Sequence, residues 1–242
     1  MTKLERSFLE RFVVKFINRL RKKHFMTETK TRLQSILTFS KRERFDLLVS
    51  WITLSIAFAL VISPIFLNLN DLMISLPIAF LAVGTGFIFH ELAHREVAKH
   101  YGFHSEFRAW YPGLVFAIIL AIVTMGQFIF AAPGATYFFA QSVSRKQNGI
   151  ISTAGPAINL IIGIGLLLLA AIFTDKFILT VLVYAAMINF WFALFNLLPV
   201  YPLDGAKVLA WKPIVWIILI AVAALMVLRP NLVLGAVGIK LL

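Results

Sequence analysis

Two histidines four residues apart, with a glutamate beside the first, stand at the end of a long apolar run: His90-Glu91-Leu92-Ala93-His94. On a helix, residues i and i+4 lie one above the other on the same face. That spacing suits two imidazoles holding one Zn²⁺, with Glu91 placed to take a proton from an activated water. Location strengthens the reading, because Leu72 to Phe89 carry no charge at all. Ionisable side chains in such surroundings are costly and mark functional sites. Two histidines still leave a catalytic zinc one protein ligand short, since such sites use three plus a water. The chain has no cysteine, so the missing ligand must be His, Asp or Glu.

The elements that must position these groups are membrane helices. Of 242 residues, 60% are hydrophobic and only 14% charged, against about a quarter charged in a soluble domain. No polar stretch after residue 45 is long enough to build a soluble core. The absence of cysteine excludes disulfides and thiolate metal sites. The first residues lack the short apolar run and small-residue end of a cleavable signal peptide. A net charge of +12 is concentrated early: residues 1–45 hold thirteen Lys/Arg against four acids. Within them Leu4, Phe8, Leu9, Phe12, Val13, Phe16, Ile17 and Leu20 form a helical apolar stripe. This basic amphipathic segment is expected to lie in the interface on anionic lipid rather than bind nucleic acid. Packing on another part of the protein is the competing reading of the stripe.

The remainder, 46–242, reads as one membrane-embedded domain. Spans are expected at Asp46–Leu69, Asp71–Tyr101, Gly149–Phe173, Phe177–Leu198 and Pro213–Leu228, while Asn231–Leu242 is too short to cross as a helix. Lys41, Arg42 and Arg44 before the first span put the N-terminus in the cytoplasm by the positive-inside rule. Arg95 and Lys99 put the end of the motif helix there too. His90 then lies roughly 13 Å deeper than Lys99, at 1.5 Å per residue.

Few acids can complete the metal site. Glu96 is on another face of the motif helix, and Glu106, His100 and His104 belong to the cytoplasmic loop. Asp204 remains, in Asn196-Leu197-Leu198-Pro199-Val200-Tyr201-Pro202-Leu203-Asp204-Gly205. Its prolines break a helix at membrane depth, which is tolerated where the backbone lines a polar site. Asp-Gly is also a common turn pair, so a purely local role competes. Topology bears on the choice. If Leu114–Phe130 crossed the membrane, Asp204 would land a bilayer away from His90, and Arg145, Lys146, Lys207 and Lys212 would face outside. If the segment dips in and returns, all these cations are cytoplasmic and Asp204 reaches the histidines.

His90 to His94, Gly155-Pro156-Ala157-Ile158-Asn159 and Asn196 to Pro199 through Leu203-Asp204-Gly205 resemble the three motifs of the site-2 protease family, the intramembrane zinc metalloproteases of peptidase family M50. The resemblance spans about residues 72–212. It implies one zinc per chain on His90, His94 and Asp204, with Glu91 as general base. It implies further that Asn159, joined by Asn196, holds the substrate or the oxyanion. Ala132 to Phe138 resembles the family's re-entrant β-like element, whose edge would hold an extended substrate. Ala206 departs from a glycine common at that position.

The expected fold is an all-α polytopic membrane protein of about five to six transmembrane helices. A re-entrant, partly β-like segment is expected between the HExxH and GPxxN helices. The expected location is the cell membrane, with the active site opening to the cytoplasm, and the expected substrates are single-span membrane proteins. A non-catalytic scaffold or a metal transporter using the same ligands is the alternative, although transport needs no glutamate at position 91. A prenyl-protein endopeptidase would want a second intramembrane glutamate, and there is none. With no native cysteine to interfere, Arg145→Cys should be labelled by an impermeant thiol reagent added from the cytoplasmic side; labelling from outside only would break the metal constellation.

Overall fold

The computed structural model describes residues 39–63, 69–129, 133–139, 142–236 and 238. The apolar stripe and most of the basic segment, 1–38, lie outside the described residues. Lys41 already opens the first helix, α1 (Lys41–Ile62), so the segment boundary expected at residue 45 falls inside a continuous helix. Helix α2 (Leu69–Val83), a π-helical turn (Gly84–Ile88) and α3 (Phe89–His100) follow. Together they make a 31-residue apolar rod from Asn70 to His100. Strand β1 (His104–Ala109), helix α4 (Tyr111–Val123) and strand β2 (Gly134–Phe139) come next. Two long helices, α5 (Arg145–Ala170) and α6 (Lys176–Asn196), precede α7 (Asp204–Trp211), α8 (Pro213–Leu228) and α9 (Pro230–Ala236).

Local sequence explains the sharper boundaries. Ser144 caps α5 in a capping box with Gln147, each side chain serving the other's backbone N–H. Asp175 caps α6 by accepting from Ile178 N–H at 2.9 Å. Pro213 opens α8 at a position where its missing N–H costs nothing.

The architecture is that of a helical polytopic membrane protein. Among the described residues, α1, the α2–α3 rod, α5 and α6 are long and apolar enough to cross a bilayer. Helix α8 is apolar but has only 16 residues, roughly 24 Å against a hydrocarbon core of about 30 Å. Helices α5 and α6 enclose a core of Leu160, Leu167, Leu182 and Phe190, where Ala170, Ala186 and Ala193 let the backbones approach. Ile161, Leu168 and Ile217 stay at least half exposed, as suits surfaces solvated by lipid tails.

The two ends of the segment between β1 and β2 lie side by side. Trp110 N–H donates to Pro133 O at 2.8 Å, so the segment ends beside where it starts. Helix α4 has 13 residues, roughly 20 Å, too short to span. The two ends continue into an antiparallel pair, β1 and β2, in register from His104 opposite Phe139 to Ala109 opposite Gly134. Strand β2 matches the expected β-like element. Strand β1 was not expected and replaces the loop read there.

A buried ion pair ties this hairpin to the motif helix. Glu43 on α1 and Arg95 on α3 are each 1% exposed, with Arg95 Nε 2.9 Å from Glu43 Oε1. Glu43 Oε1 also accepts from Phe107 N–H of β1 at 3.2 Å. Nearby, Tyr111 donates its hydroxyl proton to Asp46 at 2.6 Å. Losing one member of a buried pair leaves an uncompensated charge and costs about 3–5 kcal/mol. Arg95→Met should therefore lower the thermal midpoint in detergent more than the double variant Glu43→Leu/Arg95→Met; equal or greater loss in the double would contradict the pairing.

Candidate metal centre

His90 and His94 point from α3 toward Asp204 at the start of α7. Their Nε2 atoms are 3.0 Å apart, and Asp204 Oδ2 lies 3.3 Å from His90 Nε2 and 2.9 Å from His94 Nε2. All three residues are buried. Among the described residues they form the group whose ligand atoms lie close enough together to share an ion.

Asp204 reaches the histidines because α6 stops at Asn196 and the chain turns through Pro199 and Pro202 before α7 begins. Gly205 allows the return. A Cβ there would stand 2.1 Å from Leu197 O, so only glycine lets the first turn of α7 lie against the end of α6. Lys207 Nζ sits 3.5 Å from Asp204 Oδ1, leaving Oδ2 to face the histidines.

Helix α5 closes the other side. A Cβ on Gly155 would lie 2.4 Å from His94 Nε2 and 2.6 Å from His90 Nε2. The glycine thus clears room at the very atoms that would hold an ion. His94 Nδ1 lies 2.7 Å from Ile151 O. Donating to that carbonyl fixes the tautomer and leaves Nε2 with its lone pair, the arrangement typical of metal-ligating histidine. Two imidazole nitrogens and a carboxylate oxygen, 2.9–3.3 Å apart, form a donor set suited to zinc. Tetrahedral ligands at about 2.0–2.1 Å would be roughly 3.3 Å from one another. The residues fit a metal.

Glu91 faces the same space. It is 8% exposed, and its Oε2 accepts from the Thr136 hydroxyl at 2.7 Å. The group borders a cavity of about 160 Å³ with apolar walls from Phe87, Phe138, Ile151 and Phe192. Gly134, Ala135 and Thr136 of β2 also line it, so the cavity abuts this strand.

The two asparagines part company. Asn196 lines the cavity, with Nδ2 donating to Phe192 O at 3.0 Å. Asn159 is fully buried one turn beyond Gly155 and is not among the residues lining the cavity. Among the described residues, neither polar atom of its amide has a hydrogen-bond partner. The acids set aside as ligands are occupied elsewhere: Glu96 pairs with Arg95 at 2.7 Å and Lys99 at 3.6 Å, and Glu106 pairs with Arg108 and with His104 at 3.6 Å. Sequence reasoning missed Thr136 and Lys207. The signal for Thr136 was present, as it is the one aliphatic hydroxyl in Gly134–Phe139.

Comparison with known proteins agrees with this geometry. Residues 172–212, which hold α6, the proline turn and Asp204, match the model of peptidase family M50. A protein of Methanocaldococcus jannaschii, provisionally named a zinc metalloprotease, is 43% identical over 185 residues, covering 76% of this chain and 92% of that relative. A second protein of the same organism, named a zinc metalloprotease, is 27% identical over 133 residues, 54% of this chain and 33% of its own. No solved structure matches the chain. With the match to the first relative running over nearly its whole length, and the buried His90–His94–Asp204 group at the centre of the fold, the chain belongs to peptidase family M50.

Proposed function

We propose that this protein is an intramembrane zinc metalloprotease of the site-2 type, hydrolysing a peptide bond within or near the transmembrane segment of single-span membrane proteins. The observation that carries the reading is the position of Glu91, a buried carboxylate beside a metal-suited triad, facing a cavity bordered by strand β2. His90, His94 and Asp204 would hold one zinc. Bound there, zinc supplies Lewis acidity, polarising a peptide carbonyl and letting water lose a proton near neutral pH.

The residues do the rest. Glu91 accepts the proton at its carboxylate and passes it to the leaving amine. Asn196, at the cavity wall, donates to the oxygen on which charge develops. The substrate must be extended to expose its peptide bond, and the edge of Gly134–Phe139 offers backbone hydrogen bonds to that form. The protein sits in the cell membrane as a multi-pass chain. Arg145, Lys146, Lys207 and Lys212 set the N-terminus and the opening of the site toward the cytoplasm, and the basic N-terminal segment rests on anionic lipid.

Zinc content and cleavage of a single-span reporter in lipid vesicles test the assignment together. Glu91→Gln should lower cleavage by about 10²–10⁴-fold, the range for losing a general base, and keep one zinc per chain. Asp204→Ala should lose both zinc and cleavage. Retained cleavage in Glu91→Gln, or metal flux across the vesicle without proteolysis, would refute the proteolytic reading.

Gly155 makes a sharper demand on the geometry. Gly155→Ala puts a methyl group where the histidine nitrogens converge and should weaken zinc binding on the order of 10–100-fold, as altered surroundings of metal ligands do. Unchanged zinc affinity in a chelator competition would show that the ion binds elsewhere.

A further inference from the structure

The hairpin and the motif helix are joined at one rung. Phe107 and Thr136 are opposite each other in the β1–β2 ladder, and each binds the α3 rod. Thr136 donates its hydroxyl to Glu91 Oε2 at 2.7 Å. Phe107 N–H donates to Glu43 Oε1 at 3.2 Å, and that oxygen lies 2.9 Å from Arg95 Nε. The Phe107 ring packs edge-on against Phe87, centroids 5.4 Å apart. Residues 87, 91 and 95 recur every fourth position along the rod, so its one stripe carries all three attachments.

The Glu91 attachment differs in kind from the other two. Phe87 gives the cavity an apolar wall and Arg95 lies outside it, whereas Glu91 brings a carboxylate to it. The Thr136 hydroxyl has two acceptors on this residue, Oε2 at 2.7 Å and the backbone oxygen at 3.2 Å. It has one proton to give, and either choice keeps it on Glu91. Side chains alternate along a strand, so Thr136 turns inward while Ala135 and Tyr137 on either side are exposed. Among the described residues β2 pairs only with β1, which leaves its other edge to face an extended peptide.

We propose that Thr136 is a positioning residue for Glu91, which transmits the seating of a substrate strand on β2 to the orientation of the base. The proposal rests on the proteolytic reading above. A peptide paired along the free edge holds β2 still, and the inward hydroxyl of that strand then fixes where the Glu91 carboxylate points. Specificity for an extended backbone and readiness of the base become one event.

The test compares Thr136→Val, which keeps shape but removes the donor, with Thr136→Ser, which keeps the donor. Both are assayed in the full chain, in lipid vesicles with a single-span reporter, with zinc content measured alongside. Thr136→Val should lower kcat about tenfold, the worth of a hydrogen bond to a charged group, with KM within about twofold and zinc at the wild-type level. Thr136→Ser should restore most of the rate. A Val variant with wild-type kcat, a Ser variant as slow as Val, or a rise in KM alone would overturn the positioning role. Thermal midpoints supply a readout independent of turnover. The losses in Thr136→Val and Glu91→Ala should sum to more than the loss in the double variant; additive losses would overturn the contact. Wild-type cleavage abolished by Glu91→Gln, together with a wild-type rate in Thr136→Val, would remove this proposal and leave the proteolytic reading standing. A wild type without zinc-dependent cleavage would remove both.

Discussion

Charge buried in an apolar interior must be matched where it sits. This constraint organises the molecule. The transmembrane rod brings His90, Glu91, His94 and Arg95 into a region with little water, and each demands a partner from a distant part of the chain. Asp204 answers the histidines, Thr136 answers Glu91, and Glu43 answers Arg95. These partners come from α7, β2 and α1. Satisfying four adjacent residues thus fixes the relative placement of most of the fold. Cost and specificity are linked here: a helix rotated or shifted by one residue would leave several charges unmatched at once.

The same constraint explains why so much was legible in the sequence. In a chain with this few charges, each intramembrane acid or histidine needs an explanation, and the depth of His90 left Asp204 as the acid able to reach it. A returning segment after Trp110 was expected from the same count of cations, and the Trp110–Pro133 hydrogen bond brings its two ends together. Helix starts were legible where a cap or proline directly abuts the apolar run, as at Asp175 and Pro213, whereas α5 begins at Arg145 under the Ser144 cap, ahead of the expected Gly149.

What was not legible depends on pairing across distance or on a change of helical pitch. Strand β1 carries a two-residue alternation, with Ser105 and Phe107 buried between outward His104, Glu106 and Arg108, but its charge made it read as a loop. The strand forms because β2 returns beside it. Glu43 and Arg95 gave no sign of each other, since they lie on different helices and each stood among flanking charges expected to be solvated. Asn159 is the instructive case. Its motif suggested a place at the reacting bond, and it lies wholly buried behind Gly155 with its amide unpartnered among the described residues. A motif conveys which residues belong together and leaves open which of them touch the substrate.

The π-helical turn at Gly84–Ile88 has a consequence for how such a chain can change over time. It holds one more residue than a regular turn, and everything C-terminal to it is rotated by about 100° relative to an uninterrupted helix. Deleting one residue there would make the helix regular and leave the histidines on the side where Asp204 waits, because the turn absorbs one extra residue. Adding or removing a residue elsewhere in the rod, with the turn left in place, would swing them away by about 100°. Between the outer end of the rod and the metal ligands, length can therefore change only at this turn. Everywhere else in the rod, drift is confined to substitution.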